Sequence, residues 1–387
     1  MITFGPVPSR RLGRSLGINN IPPKSCTYSC VYCQVGPTPD TEVVPRAFYP
    51  PARIIESVER HLERLHERGE GVDYLSFVPD GEPTLDCHLG ETIDGLKPLG
   101  IPIAVISNGS LLSREAVRAA LSKADWVSVK LDAIDTAVWR RVNRPHPTLD
   151  HQEILEGALA FASGFGGTLA TETMLVSGVN DSDADAEALG GFIERLGPRT
   201  AYLSVPIRPP AQAGVEPPEP DRLNRFFQIV QRKVGNLELL SGYEGDAFAS
   251  TGDLAGDLLA IAAVHPLRES AVQALVERSG GDWSVVERLV GDGRLIPTEF
   301  AGRRFYLCRP SHRAESTSTS QPSGARHESV IPRYRTLAAA GTISRRHVER
   351  LLVSERTRRL GDGSIGRAAY PGCRADRAPS ASHPDSA

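Results

Sequence analysis

Residues 22–36 read "PPKSCTYSCVYCQVG", and three of the chain's six cysteines fall inside them: Cys26, Cys30 and Cys33, spaced C-x3-C-x2-C. Cys87, Cys308 and Cys373 are scattered. Three explanations compete for the cluster of thiols: a helix face, a zinc site and an iron–sulfur cluster. Positions i, i+4 and i+7 do share a helix face. However, Pro22 and Pro23 precede the first cysteine, and Pro37 and Pro39 follow the last. Proline lacks the backbone donor and crowds the preceding turn, so little room is left for a stable helix. A structural zinc ion wants four ligands, usually in two pairs; the histidine nearest in sequence is His61, so a distant fourth ligand would be needed. Four-iron clusters are normally held by four thiolates. Three thiolates can hold one and leave an iron open, which suits a cluster that binds a substrate rather than only carrying electrons. A short loop wrapping three sulfurs around three corners of a cube accounts for the spacing, with Tyr32 shielding one flank.

The bulk properties set the frame. At 387 residues the chain can bury a sizeable core and is expected to hold more than one domain. No apolar run approaches the roughly 20 residues of a membrane span, and "MITFGPVPSRRLG" does not read as a signal peptide. Six cysteines in so long a chain do not make a disulfide framework, so a reducing, cytoplasmic setting is expected. Charge is uneven. Residues 311–387 carry thirteen Arg, no Lys and seven acids, so the overall −3 leaves −9 on the first 310 residues. That body is no general polyanion binder.

Along the chain, short β-rich runs alternate with amphipathic stretches. "VDYLSFV" (72–78), "IPIAVIS" (101–107), "WVSVKLDA" (126–133), "LATETMLV" (169–176) and "AYLSVPI" (201–207) read as buried strands, with a first strand near 15–19. Helical patterns fall between them, as in "PARIIESVERHLERLHERG", which has Pro at its start and Gly at its end. About six β/α units result. Strict alternation implies a parallel sheet, and right-handed crossovers curl it into a partial (β/α)6 barrel with functional residues at the carboxyl ends of the strands. The fold class is therefore α/β, with a core domain over residues 1–240. A Gly-, Ser- and Asp-rich connection then leads to three helical stretches and a hairpin, a winged-helix-like domain over 241–310 with seven Arg against six acids from 266 to 310. Residues 311–387 form a Ser/Pro/Arg-rich tail, expected to be largely disordered apart from a short helical stretch at "ISRRHVERLLVSERTRR".

The string C-T-Y-S-C-V-Y-C, after a first strand and before a first helix, resembles the signature of the radical S-adenosylmethionine (radical SAM) superfamily. The resemblance implies that Cys26, Cys30 and Cys33 hold a 4Fe-4S cluster whose free iron chelates S-adenosylmethionine. It further implies an oxidoreductase-like reaction in which reductive cleavage yields a 5′-deoxyadenosyl radical that abstracts hydrogen from a substrate, with an electron donor of flavodoxin or ferredoxin type. No side chain is given a catalytic role, because the cofactor does the hard chemistry. The N-terminal string and the cysteine loop resemble a subgroup related to the tRNA wyosine-forming enzymes, over roughly residues 3–240. This chain lacks their second set of cluster cysteines, so the tRNA substrate is not carried over. RNA modification and a non-catalytic iron–sulfur electron carrier stand as the alternatives.

Further positions match the family's cofactor-binding segments. Asp80-Gly81-Glu82 follow the second strand where the family has a "GGE" segment contacting the SAM ammonium; the bland reading is a plain turn. Ser107 and Asn108 end the third strand where the family often has Thr-Asn-Gly. Ser128, Lys130 and Asp132 alternate along the fourth strand, which would point all three to one face, as ribose contacts or as a mutual Lys130–Asp132 pair. Glu172 interrupts an apolar strand and could face the same cavity, and Arg208 stands at the mouth as a candidate for a carboxylate. Ser9, Arg10, Arg11 and Arg14 form either a solvated basic face or a cover over the site opening.

Overall fold

Short β-branched and aromatic runs, bracketed by glycine, proline or aspartate, become strands where the sequence places them. In the computed structural model, which describes residues 2–240, 245, 246 and 248–308, eight strands form one sheet in chain order. They are β1 (Thr3–Ser9), β2 (Gly13–Ile18), β3 (Tyr74–Phe77), β4 (Ile103–Ser107), β5 (Trp126–Lys130), β6 (Thr168–Met174), β7 (Thr200–Ser204) and β8 (Leu237–Leu240). β1 pairs antiparallel with β2, and every later neighbour is parallel. The six strands read from the sequence are β2 to β7. β1 and β8 extend them at either edge, and those edges do not pair with each other among the described strands. β1 carries two prolines and a register irregularity, both tolerable on an edge strand. The tail over 311–387, with its helical stretch and Cys373, lies outside the described residues.

Helices α1 (Pro51–Glu67), α2 (Leu89–Leu96), α3 (Glu115–Leu121), α4 (Thr136–Asn143), α5 (His151–Gly164), α6 (Asp183–Leu196) and α7 (Pro220–Gln231) make the crossovers. On α1, Ile54, Val58, His61 and Leu65 repeat at helical spacing and are buried together. α6 starts on a reciprocal Ser182–Asp185 cap. His61 is spoken for structurally: its Nδ1 meets Thr3 Oγ1 and its Nε2 meets the Gly5 carbonyl, each at 3.0 Å. Burial lowers its pKa to about 4, so it stays neutral and braces β1.

The two faces of the sheet differ in chemistry. Outward residues such as Leu75, Val105, Val127, Val129 and Leu203 pack against the helices. Ala104, Trp126, Ala170, Tyr202 and Leu240 face the concave side, where Leu12 from the β1–β2 turn joins them. Leu12, Ala104 and Trp126 place an apolar floor at the amino ends of the strands, while Leu240 ends β8. Above it the lining turns polar: Ser15 donates to Ser76 at 2.7 Å, and Ser128, Lys130, Glu172 and Ser204 follow.

After the barrel come α8 (Leu254–Val264), β9 (Leu267–Arg268), α9 (Glu269–Ser279), α10 (Ser284–Gly291) and the hairpin β10 (Leu295–Phe300) and β11 (Arg303–Cys308). Their order, with the sheet β10-β11-β9, is that of a winged helix. Strand β9, only two residues long, was not legible in the sequence. Leu258, Ile261, Val272, Leu275 and Leu289 form a core of their own. α8 also lays Ala260 and Val264 on Phe4 of β1, which covers this edge of the barrel.

Leu12 is 3% exposed and closes the floor. Leu12→Ala is expected to cost about 2–5 kcal/mol through lost burial and an unfilled cavity. Urea denaturation of the two proteins measures it.

Candidate active site

The cysteine loop leaves β2 at the carboxyl end of the barrel and has no helix or strand of its own. It is pinned from two sides. On one side Ser25 forms a bridge with Gly81, Glu82 N donates to Ser25 O at 2.9 Å, and Lys24 N donates to Asp80 O at 2.8 Å. On the other, Ser29 N donates to Asn143 O, Val31 N to Val142 O, and Tyr28 bridges Pro145. Cys33 N then donates to Cys30 O at 3.1 Å and Gly36 N to Cys33 O at 3.2 Å, two successive tight turns. Gly81 has φ 154°, and a Cβ there would lie 2.0 Å from Ser25 O, so only glycine lets these loops meet.

Glu82 is buried, and its carboxylate takes four protein donors, three on Oε1 and one on Oε2. It accepts from Thr84 N (3.1 Å), Thr84 Oγ1 (2.6 Å), Ser107 Oγ (2.8 Å) and Asn108 N (2.7 Å). Burial pushes its pKa up, and these donors pull it partly back. Asn108 turns its amide to the loop instead, donating to Thr27 Oγ1 at 2.7 Å and toward Cys26 Sγ at 3.7 Å. Asn143, which sequence reasoning missed, donates to Cys30 Sγ at 3.4 Å and to Asp132 Oδ2 at 2.6 Å. Its only signal was an amide at the end of a helix unrecognised in the sequence.

β5 ends at Lys130. Two residues on, Asp132 accepts from the Tyr32 hydroxyl, Asn143 and Met174 N (2.8 Å), so it shares Tyr32 with Lys130. The two do not form a mutual ion pair. Lys130 Nζ donates to Glu172 Oε1 at 3.1 Å and sits 5.1 Å from the centre of the Tyr32 ring. Glu172 also pairs with Arg11 and accepts from Ser204 Oγ at 3.3 Å. Burial alone would raise the Glu172 pKa, but Arg11 and Lys130 outweigh it and hold it at about 2. Ser128 is wholly buried one inward position below Lys130, and its hydroxyl meets no partner.

The N-terminal basic string does not cover the opening. β2 runs parallel to the other barrel strands, so the turn before it lies at their amino ends, the opposite pole. Arg14 pairs there with Asp73 at 2.9 Å on the exposed rim, while Arg11 reaches inward to Glu172. Arg208, after β7, donates to Gln34 Oε1 at 3.1 Å and to His265 Nε2 at 3.0 Å. Burial and the adjacent guanidinium hold His265 neutral, far below the ordinary imidazole range. Gln34 in turn donates to Val264 O at 3.0 Å, so the end of α8 touches the residue after Cys33.

Cys26, Cys30 and Cys33 are free thiols. Burial, with Asp132 and Cys33 adding repulsion, pushes the Cys30 thiol up to about 12, and burial also raises Cys26 and Cys33. Three thiolates sit here only if a cation compensates them, which a bound metal centre supplies. A single tetrahedral zinc would draw three sulfurs to roughly 3.8 Å apart, given Zn–S bonds of about 2.3 Å. Among the described residues, the groups of three ligand atoms within 4.8 Å of one another do not include these cysteines. The donor set therefore fits a larger, soft, thiolate-bound group.

Comparison with known proteins agrees. The family model of the radical SAM superfamily matches residues 20–188. A UPF0026 protein of Methanocaldococcus jannaschii is 41% identical over 319 residues, covering 82% of this chain and 99% of the relative. The chain belongs to the UPF0026 family and carries a radical SAM domain over residues 20–188. A second UPF0026 protein, from Helicobacter pylori, is 36% identical over 308 residues, covering 79% of this chain and 97% of that one. Among solved structures, a radical SAM methyltransferase from Sphaerobacter thermophilus aligns with a TM-score of 0.44 at 19% identity, covering 59% of this chain and 66% of that one. As a radical SAM protein the chain is an enzyme whose cofactors are a 4Fe-4S cluster and S-adenosylmethionine. No helix among the described residues is long and apolar enough to cross a membrane.

Glu172→Gln would leave Arg11 and Lys130 buried without their carboxylate, at a cost of roughly 3–5 kcal/mol at neutral pH. The Glu172 pKa lies below its ordinary 4.5 in the fold, so its contribution is complete above that value. It fades as pH falls through 4.5 toward about 2. Denaturation of both proteins from neutral pH downward should show the stability gap closing over that window.

Proposed function

We propose that Cys26, Cys30 and Cys33 hold the 4Fe-4S cluster and leave one iron for S-adenosylmethionine, so that the enzyme performs hydrogen abstraction on a substrate in the barrel. The observation that carries this is the pinned loop itself: three free thiols at the carboxyl end of a parallel barrel, two of them receiving amide N–H groups. Held by these three cysteines, the cluster would supply one electron for the reductive cleavage of S-adenosylmethionine that precedes hydrogen abstraction.

The chain's own residues do the positioning. Asn108 and Asn143 direct N–H groups at Cys26 and Cys30, which offsets thiolate charge and orients the sulfurs. Gly81 brings its backbone against the cysteine loop, and Asp80 holds Lys24 beside it. Glu82 and Ser107, bonded to each other, brace that corner, and Glu82 Oε2, with one protein donor, keeps an acceptor direction for S-adenosylmethionine. Ser128 and Lys130 line the inner wall below Asp132, and Glu172 keeps Lys130 charged and in place. Arg208, linked to Gln34, forms the far rim. A one-electron donor of flavodoxin or ferredoxin type is the expected partner. The negative charge of residues 1–310 favours a small substrate over RNA.

The test is anaerobic reconstitution of the purified protein, with iron and sulfide counted. Dithionite and S-adenosylmethionine are then added and 5′-deoxyadenosine is followed by mass spectrometry. We expect the nucleoside from the wild type and only background from Cys30→Ala. An intact cluster that neither binds nor cleaves S-adenosylmethionine would replace this reading with an electron carrier.

A further inference from the structure

Lys24 precedes the first cysteine by two residues and is held from several sides. Its N–H donates to Asp80 O at 2.8 Å. Its ammonium donates to the carbonyls of Val35 and of Gly36, the latter at 3.1 Å, and faces Asp80 Oδ1 at 3.4 Å. Both side chains are largely buried, at 18% and 11% exposure. Lys24 also adopts φ 65°, a left-handed conformation that residues with side chains seldom take.

Residues 25–35 lie between these contacts and contain all three cysteines without a helix or strand. Backbone contacts with residues 81–82 and 142–145 hold that segment from its sides. One ammonium joins its two ends, next to Gly36, whose N–H donates to Cys33 O. Asp80 stands where the superfamily segment has a glycine. Glycine could accept from the Lys24 N–H but could offer no carboxylate to its ammonium.

We propose that Lys24 is a positioning residue for the cluster: it clasps the ends of the cysteine loop and fixes one positive charge beside Cys33, with Asp80 as its anchor. This rests on the reading of the three cysteines as cluster ligands. The potential of a thiolate-bound cluster responds to nearby charge, to hydrogen bonds on its sulfurs and to exposure. Charges this buried are weakly screened. The ammonium favours the more negative, reduced state, and the Asp80 carboxylate opposes it. The clasp also slows escape of the loop from bound iron.

The experiment compares full-length wild type, Lys24→Met, Lys24→Arg and Asp80→Asn after anaerobic reconstitution. Iron loss to a chelator is followed by absorbance, and the midpoint potential by redox titration with electron paramagnetic resonance. Lys24→Met should lose iron on the order of ten-fold faster, the scale of other residues that support ligands from behind, and its potential should move negative. Asp80→Asn should move the potential positive, and Lys24→Arg should stay close to wild type. Opposite signs for Lys24→Met and Asp80→Asn mark a charge effect that simple loosening cannot produce. Shifts of the same sign, or a Lys24→Met protein that matches wild type in both readouts, overturn the proposal. The iron and sulfide content of the wild type reports separately on the cysteines: if it takes up no cluster, that underlying reading falls first.

Discussion

The carboxylate of Glu82 is the joint on which the site depends. Its four acceptor contacts tie the end of β3 to the end of β4, and its backbone N–H holds the cysteine loop. Burying a carboxylate costs several kcal/mol, while each hydrogen bond to it returns about 1.5–3 kcal/mol. The two sides roughly cancel. What Glu82 supplies is therefore geometry more than stability: with three donors on Oε1 and one on Oε2, it fixes how the strand ends meet. Gly81 beside it removes the only Cβ that would keep the two loops apart.

The inner wall follows the same logic with more charge. Glu172 sits between Arg11 and Lys130, two cations from opposite directions, one rising from the floor and one on the neighbouring strand. Removing the carboxylate leaves like charges facing each other in a weakly screened interior. Keeping it holds the Lys130 ammonium above the Tyr32 ring and close to the cysteine loop. Asp132 stands apart from this set because Tyr32, Asn143 and Met174 already fill it.

Local signals were legible and remote partnerships were not. The C-x3-C-x2-C spacing and its flanking prolines lie within one short stretch, so the loop could be read residue by residue. Strands β2 to β7 announced themselves as apolar runs; β1 did not, because prolines and an irregular register hide an edge strand. Glu82 stood out by its match to the family segment and Glu172 as an acid in an apolar strand, yet their partners could not be named. Arg11 and Glu172 are 161 positions apart, and only the folded barrel brings them together. The alternation through Asp132 ran past the end of β5, because a strand's period says nothing about where the strand stops. Asn143 and Lys24 look like ordinary polar residues until the loop they hold is seen.

The apolar floor also decides how far the charges above it act. Leu12, Trp126 and Tyr202 pack in one buried cluster, which keeps screening ions and water away from that side of the barrel. Glu172 stands over it between Arg11 and Lys130, two cations to one carboxylate. A charge left over in so dry a place is felt at longer range than one on the surface. The floor that stabilises the fold therefore also lends reach to the charge above it.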